Sequence, residues 1–339
     1  MRSFATDLID LNGKEILVTG GTGSFGRQFI STVLKNFSPK RVVIFTRDEL
    51  KQYEMQQELP PSRHPALRYF IGDVRDEARL EMAMRGIDIV IHAAALKQVS
   101  MAEYNPFECI RTNVHGAENV VNAAIKCGVK KVIALSTDKA AAPINLYGAS
   151  KLASDKIFIA GNNLSGKAEA RFSVVRYGNV VGSRGSIVPL FERMLSEGKH
   201  ELPITDYRMT RFWITLQQGV DFVLSCLKMM QGAEVFIPKI PSMKIVDLAE
   251  AMAPGISLRE IGIRPGEKLH EVMVTEDDAR TTVEYHDRYI IEPAFASWER
   301  KSFLKSGAKP VLEGFRYASD TNDEWLHSEN LKQILKSSR

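Results

Sequence analysis

Short apolar runs rich in β-branched residues recur through the first half of the chain, each separated from the next by a stretch with helical spacing. The runs lie at 14–20 (KEILVTG), 41–46 (RVVIFT), 66–72 (ALRYFIG), 88–94 (DIVIHAA), 131–137 (KVIALST) and 171–177 (RFSVVRY). Helical patterns fill 27–37, 48–59, about 75–85 and 106–127, with Pro60 and Pro61 closing the second. Strands that are apolar along their whole length belong to a parallel sheet buried on both faces. Right-handed crossovers then give a doubly wound α/β fold.

The pattern changes after Tyr177, where prolines and glycines punctuate the chain. Helical segments at 187–197, 213–230 and 244–253 mix with short strands there. The 339 residues exceed the roughly 250–300 at which a single core stops growing. We expect a doubly wound nucleotide-binding domain over 1–180, with segments near 212–240 returning to it. A smaller α+β lobe over 181–339 would mainly bind substrate. The amphipathic stretch 319–336 reads as a surface helix.

Composition excludes several classes. With 25% charged and 44% hydrophobic residues the chain is neither disordered nor fibrous. A net charge of +4 is too small for nucleic-acid binding but suits a phosphorylated small molecule. Cys109, Cys127 and Cys226 are widely spaced, show no metal-site pattern and read as buried free thiols of a reducing compartment. The opening MRSFATDLIDLN carries Asp7 and Asp10 and no apolar core of a signal peptide. The longest apolar stretch, 87–96, is too short to span a bilayer. The expectation is a cytoplasmic protein with no membrane, metal or nucleic-acid partner.

The first strand runs into Thr19-Gly20-Gly21-Thr22-Gly23-Ser24-Phe25-Gly26 and then a helix. Glycines at this junction allow a tight turn and close approach of a pyrophosphate to the helix N-terminus. Gly20, Thr22, Gly23, Ser24, Phe25 and Gly26 are therefore candidate cofactor contacts. The second strand ends Thr46-Arg47-Asp48. An acid there would hold the ribose hydroxyls of NAD, whereas an arginine accommodates the 2′-phosphate of NADP. Thr46 and Arg47 come first and favour NADP. Asp48 suits either helix capping or ribose. Asp73 and Val74 follow the third strand, where a carboxylate can reach the adenine amine. Ala93 and Ala95 follow the fourth, where small side chains admit the cofactor or simply pack closely.

Tyr147-Gly-Ala-Ser-Lys151 sits one segment after the fifth strand. On a helix these two residues share a face. An ammonium beside a phenol lowers its pKa and makes it a usable base. Ser136-Thr137-Asp138-Lys139 ends the fifth strand, where ligands of open α/β sheets bind. Thr137 can hydrogen-bond a sugar hydroxyl, and Asp138 with Lys139 forms an adjacent acid–base pair.

Taken together, TGGTGSFG, GDVRD, STDKA, YGASK and RYGNV resemble the extended short-chain dehydrogenases/reductases. More narrowly, STDKAAAPINLYGASK resembles the inverting UDP-N-acetylglucosamine 4,6-dehydratases that open the pseudaminic acid pathway. Some relatives carry Met in place of Tyr147, and the tyrosine matches the soluble pseudaminic-pathway group. The resemblance implies a tightly bound NADP, regenerated at each turnover, and UDP-N-acetylglucosamine as substrate. It implies that Tyr147, tuned by Lys151, takes the C4 hydroxyl proton as hydride passes to NADP⁺. Lys139 then removes the C5 proton, and Asp138 protonates the departing C6 hydroxyl. Hydride returns to C6, and C5 is reprotonated from the opposite face. A lysine base needs a depressed pKa, expected from burial beside Lys97, Lys151 and the nicotinamide cation.

The resemblance also places Lys97 and Asn179 on the sugar or phosphate, and Val188 within a uracil pocket formed by 186–191. Arg211 and Arg264 become a diphosphate clamp, with Arg184 as a further arginine and Glu267 on ribose or sugar hydroxyls. A homo-oligomer between dimer and hexamer is implied. A C5-retaining dehydratase and a UDP-sugar 4-epimerase share Tyr147 and Lys151. An epimerase has no need of Asp138 and Lys139, because it eliminates nothing. A non-catalytic NADP sensor would have no need of the Tyr–Lys pair.

Overall fold

The six apolar runs form strands Glu15–Thr19 (β1), Arg41–Thr46 (β2), Leu67–Ile71 (β3), Ile89–His92 (β4), Lys131–Thr137 (β5) and Arg171–Tyr177 (β6) in the computed structural model. The structure describes residues 2–166, 169–183 and 185–337. Between the strands lie helices Ser24–Asn36 (α1), Glu49–Glu58 (α2), Glu77–Met84 (α3), Val99–Tyr104 (α4), Pro106–Ile110 (α5), Gly116–Lys126 (α6) and Leu146–Leu164 (α7).

The six strands are all parallel, in the order β3-β2-β1-β4-β5-β6. Helix α1 packs against the later helix Leu216–Met229, and α6 packs against both α3 and α7. Ile16, Val18, Val90, Ile91, Val132 and Ile133 are fully buried at the sheet centre. Burying each such side chain is worth about 1.5–3 kcal/mol. This is a doubly wound sheet, and its order reverses beside β1. The crevice at that switch point, beyond the strands' C-terminal ends, is where such sheets bind ligands.

Late segments widen the sheet. Val235–Pro238 joins β6 in parallel, the antiparallel hairpin of Thr282–Glu284 and Arg288–Ile291 follows, and Lys309–Pro310 forms the edge of ten strands. A second apolar cluster holds Val188, Phe191, Leu202, Trp213, Met243, Leu248 and Leu331. It lies among helices Ile187–Ser196, Ile245–Met252 and Ser328–Ser337 and the parallel pair Glu201–Ile204 and Ser257–Glu260.

Three stretches differ from the sequence reading. The continuous helix expected over 106–127 is interrupted by a π turn at Arg111–His115. There the buried Asn113 donates to the Leu96 carbonyl (2.9 Å) and Ser150 Oγ (3.0 Å), and accepts from the Leu96 N–H (2.8 Å). The widened turn accompanies an amide that ties the β4 exit to α7. The helix expected from 213 starts at Leu216, because Thr215 and Gln218 form a capping box and Thr210–Ile214 is a strand. In 319–336 only the part from Ser328 is helical. Leu326 donates to the Ser242 carbonyl and Ser242 to that of Glu324, so this stretch is held extended beside 242–244.

Candidate active site

A cavity of about 800 Å³ opens at the C-terminal ends of β1, β2, β4, β5 and β6. Its first half is the glycine loop. Gly20 adopts φ +64°, and a Cβ there would stand 2.9 Å from the Ala93 backbone, so the loop can lie on the β4 exit only with glycine. Thr22, Gly23, Ser24, Phe25, Gly26, Thr46, Arg47, Asp73, Val74, Ala93 and Ala95 line the same cavity.

Asp48 caps α2, accepting from the Lys51 N–H at 3.0 Å, and its other oxygen pairs with the Lys51 ammonium. Arg47 and Lys51 both line the wall at this strand end. Asp73 is held by Arg75 at 2.7 Å and reached by Arg47 at 3.5 Å. Burial raises the Asp73 pKa, but Arg75 outweighs it and leaves the carboxyl below its ordinary value.

The second half of the cavity holds Thr137, Lys139, Tyr147, Lys151, Lys97, Asn179, Arg211, Arg264 and Glu267. Burial pulls the Lys97 pKa down. Asn179 Oδ1 is buried with no hydrogen-bond partner within the protein, as a ligand-facing group would be. Val188 lies in the second apolar cluster and not on the wall, while its neighbours Ser186 and Ile187 line it. Arg184 falls outside the described residues.

Several expected roles meet a different geometry. Asp138 is fully buried and does not line the cavity, so of the acid–base pair only Lys139 reaches it. Asp138 Oδ1 accepts from Thr137 Oγ1 (2.9 Å) and Lys139 Nζ (3.1 Å). Thr137 opposes the rise of the Tyr147 pKa, and its hydroxyl heads a hydrogen-bonded chain through Asp138 to Lys139.

Lys151 lies one turn beyond Tyr147, but its ammonium donates to the Leu135 carbonyl at 2.7 Å. Burial pushes the Tyr147 phenol up to about 12 and the Lys151 pKa down, with Asp155 opposing the latter. Burial thus outweighs the expected lowering of the phenol. Lys139 also departs from expectation. Burial favours its neutral form, but Asp138 and Glu271 overcome this and lift its pKa above the ordinary lysine value.

Arg211 is a brace more than an open fork. Its Nη1 donates to the carbonyls of Thr210 (2.7 Å) and Leu269 (3.1 Å), and Nη2 to that of Lys268 (2.9 Å). A buried guanidinium takes the acceptors around it, and here these are backbone carbonyls. Arg264 is the more exposed of the two arginines and pairs with Glu267.

Glu271 and Lys268 escaped the sequence reading. Glu271 is 1% exposed and stands 3.3 Å from the Lys139 ammonium. Its only sequence signal is an acid at the start of the buried strand Val272–Val274.

The chain belongs to the polysaccharide biosynthesis protein family, whose model matches residues 16–293, and it has the extended short-chain dehydrogenase/reductase fold. Within that family it stands with the inverting dehydratases. It is 55% identical over 329 residues to "UDP-N-acetylglucosamine 4,6-dehydratase (inverting)" of Campylobacter jejuni subsp. jejuni serotype O:23/36 (strain 81-176), covering 96% of this chain and 98% of that one. It is 41% identical to "UDP-glucose 4-epimerase" of Rickettsia akari (strain Hartford), covering 95% of each. The solved structure of Pen from Bacillus thuringiensis matches with a TM-score of 0.87 and 37% identity, over 97% of this chain and all of that one. No helix among the described residues is long and apolar enough to cross a membrane.

Proposed function

We propose that this chain dehydrates UDP-N-acetylglucosamine across C5 and C6 with inversion at C5, giving UDP-2-acetamido-2,6-dideoxy-β-L-arabino-hexos-4-ulose, the first step toward pseudaminic acid. The observation that carries the reading is Lys139 at the cavity wall beside Tyr147, backed by Asp138. Dehydration needs a proton shuttle beyond Tyr147, and this pair supplies it. The 55% identity to the inverting dehydratase supports the same reading.

The glycine cradle and the Arg47 and Lys51 wall fit an NADP, with Asp48 already engaged as a helix cap. When bound, its nicotinamide accepts the C4 hydride and returns it to C6. The protein does the rest. Tyr147 takes the C4 hydroxyl proton, and Thr137 Oγ1 donates to Asp138. Once C4 is a ketone the C5 proton is acidic, and Lys139 Nζ takes it after passing its own proton to Asp138. The C5–C6 double bond forms as the C6–O bond breaks. The hydroxyl leaves as water with a proton from the Asp138–Lys139 pair, which act as one unit with Lys139 at the substrate. Reprotonation of C5 on its other face inverts it. Lys97, Asn179, Arg264 and Glu267 line the region left for the sugar and diphosphate. Three free thiols suit a cytoplasmic, reducing setting.

The test is proton NMR of the purified protein with UDP-N-acetylglucosamine in D₂O. A 6-deoxy-4-keto product of L-arabino configuration, deuterated at C5, is expected. A D-xylo product would overturn the inversion. The second reading, a 4-epimerase, rests on the 41% relative, and a C4 epimer retaining its C6 hydroxyl would establish it.

A further inference from the structure

The Lys139 ammonium is flanked by two buried carboxylates from distant parts of the chain. Asp138 Oδ1 lies at 3.1 Å and Glu271 Oε1 at 3.3 Å. Asp138 leaves the end of β5, whereas Glu271 enters from the late lobe just before strand Val272–Val274. Each carboxylate keeps one buried oxygen, Asp138 Oδ2 and Glu271 Oε2, with no hydrogen-bond partner within the protein. Leaving such atoms unpaired is costly, which marks the cluster as built for something other than stability.

Glu271 is held rigidly. Its N–H donates to Ser319 Oγ (2.9 Å) and its carbonyl accepts from the Ser319 N–H (2.8 Å). Arg211 Nε stands 3.8 Å from Glu271 Oε1 and Lys268 Nζ 4.0 Å from Oε2. Lys268 is anchored in turn on the Ala141 carbonyl at 2.7 Å. The groups facing Lys139 are thus Asp138 on its own turn, Glu271 and Lys268 from the late lobe, Arg211 from strand Thr210–Ile214, and Tyr147 from α7.

We propose that Glu271 is a positioning residue for Lys139, which fixes the ammonium at the cavity wall and sets the pH at which it gives up its proton. The proposal rests on the reading of Lys139 as the C5 base and adds to it a second carboxylate from the other side of the cavity. Two carboxylates among three cations hold the Lys139 proton in place. Removing the charge of one leaves a single carboxylate among the same cations and makes the neutral amine easier to form. In Glu271→Gln the amide oxygen can still accept from Nζ, so orientation survives while charge does not. In Glu271→Asp the charge survives on a shorter arm.

The experiment follows deuterium incorporation at C5 of UDP-N-acetylglucosamine, turned over by the holoenzyme in D₂O, as a function of pD. The wild-type exchange rate should climb only in the alkaline range, as Lys139 loses its proton. In Glu271→Gln this limb should move to lower pD by about one unit or more, with KM within about twofold of wild type. In Glu271→Asp the limb should stay near the wild-type position while the maximal rate falls. A merely structural Glu271 would lower rate or yield without moving the limb. Superimposable profiles for wild type and Glu271→Gln would overturn the proposal. If Glu271→Gln does not fold, a Glu271→Asp limb displaced to low pD would overturn the proposal. Lys139→Met, run in parallel, separates the two readings. Retained exchange there removes Lys139 as base, whereas lost exchange with an unmoved Glu271→Gln limb removes only the role of Glu271.

Discussion

A side chain on Gly148 would collide with the carbonyl oxygen of Lys139. The first turn of α7 therefore rests directly on the 138–140 turn, and the spacing between Tyr147 and Lys139 is set by this bare contact. Gly148→Ala improves helix propensity but must push the turn aside. A displacement near 1 Å costs about 100-fold in rate. We expect turnover to fall by about that factor while the protein stays folded and KM changes little. Steady-state kinetics within threefold of wild type would remove this contact from the account.

Asn145 joins the catalytic helix to the Arg264–Glu267 loop. Its Oδ1 caps α7 by accepting from the Gly148 N–H (2.7 Å), and its Nδ2 donates to the Gly266 carbonyl (2.7 Å). Asn145→Ala should lose about 1 kcal/mol of stability with the cap. Asn145→Asp keeps the cap but turns a carboxylate toward the Gly266 carbonyl. It should raise KM for the nucleotide sugar several-fold with little change in urea midpoint. An unchanged KM in both variants would show that the loop does not depend on this bond.

His92 gives the protein an acid-sensitive point. Burial, helped by Lys151, lowers its pKa from 6.5 to about 3, and Nδ1 hydrogen-bonds Thr19 Oγ1 at 2.9 Å. The folded chain refuses a proton that the unfolded chain accepts. Stability from this group is therefore complete above about pH 6.5 and is lost as pH falls toward 3. At pH 5 the loss is about 2 kcal/mol. Urea unfolding at pH 7 and pH 5 should show wild type losing that much more than His92→Gln. Equal losses would mean the ring is not held neutral.

Arg47 is half exposed at the cavity wall. Charge-assisted hydrogen bonds are worth about 1.5–3 kcal/mol, less where solvent screens them. Arg47→Ala should weaken NADP binding about tenfold and leave NAD within twofold, read by calorimetry on protein stripped of cofactor. Equal weakening of both would place Arg47 away from the 2′-phosphate.

The sequence displays what local chemistry controls. Apolar runs of β-branched residues become the parallel strands, and Asp48 and Thr215 start helices where their side chains can cap them. The glycine loop, Tyr147 and Lys139 all reach one cavity. Spacing cannot show which acceptor a buried donor takes. Lys151 takes the Leu135 carbonyl, and Arg211 takes carbonyls of Thr210, Lys268 and Leu269. Neither acceptor is visible as a residue type, because every residue carries a carbonyl. Glu271 lies far along the chain from Lys139, and only the fold brings the two together. Asp138 and Lys139 are adjacent in sequence yet differ in burial, because the tight turn Asp138–Ala140 sends one side chain inward and the other to the wall.

The late arrival of Glu271 has a consequence during synthesis. The glycine loop, Arg47, Asp73, Tyr147 and Lys151 have all been translated once residue 151 is added. Glu271 follows 120 residues later (271 − 151), which at about 5–20 residues per second means roughly ten seconds of elongation. Through that interval Lys139 lacks its second carboxylate, and for much of it α1 lacks the helix Leu216–Met229 on which it packs. Every residue named for the dinucleotide is translated by residue 151, yet the charge environment of Lys139 is complete only with Glu271.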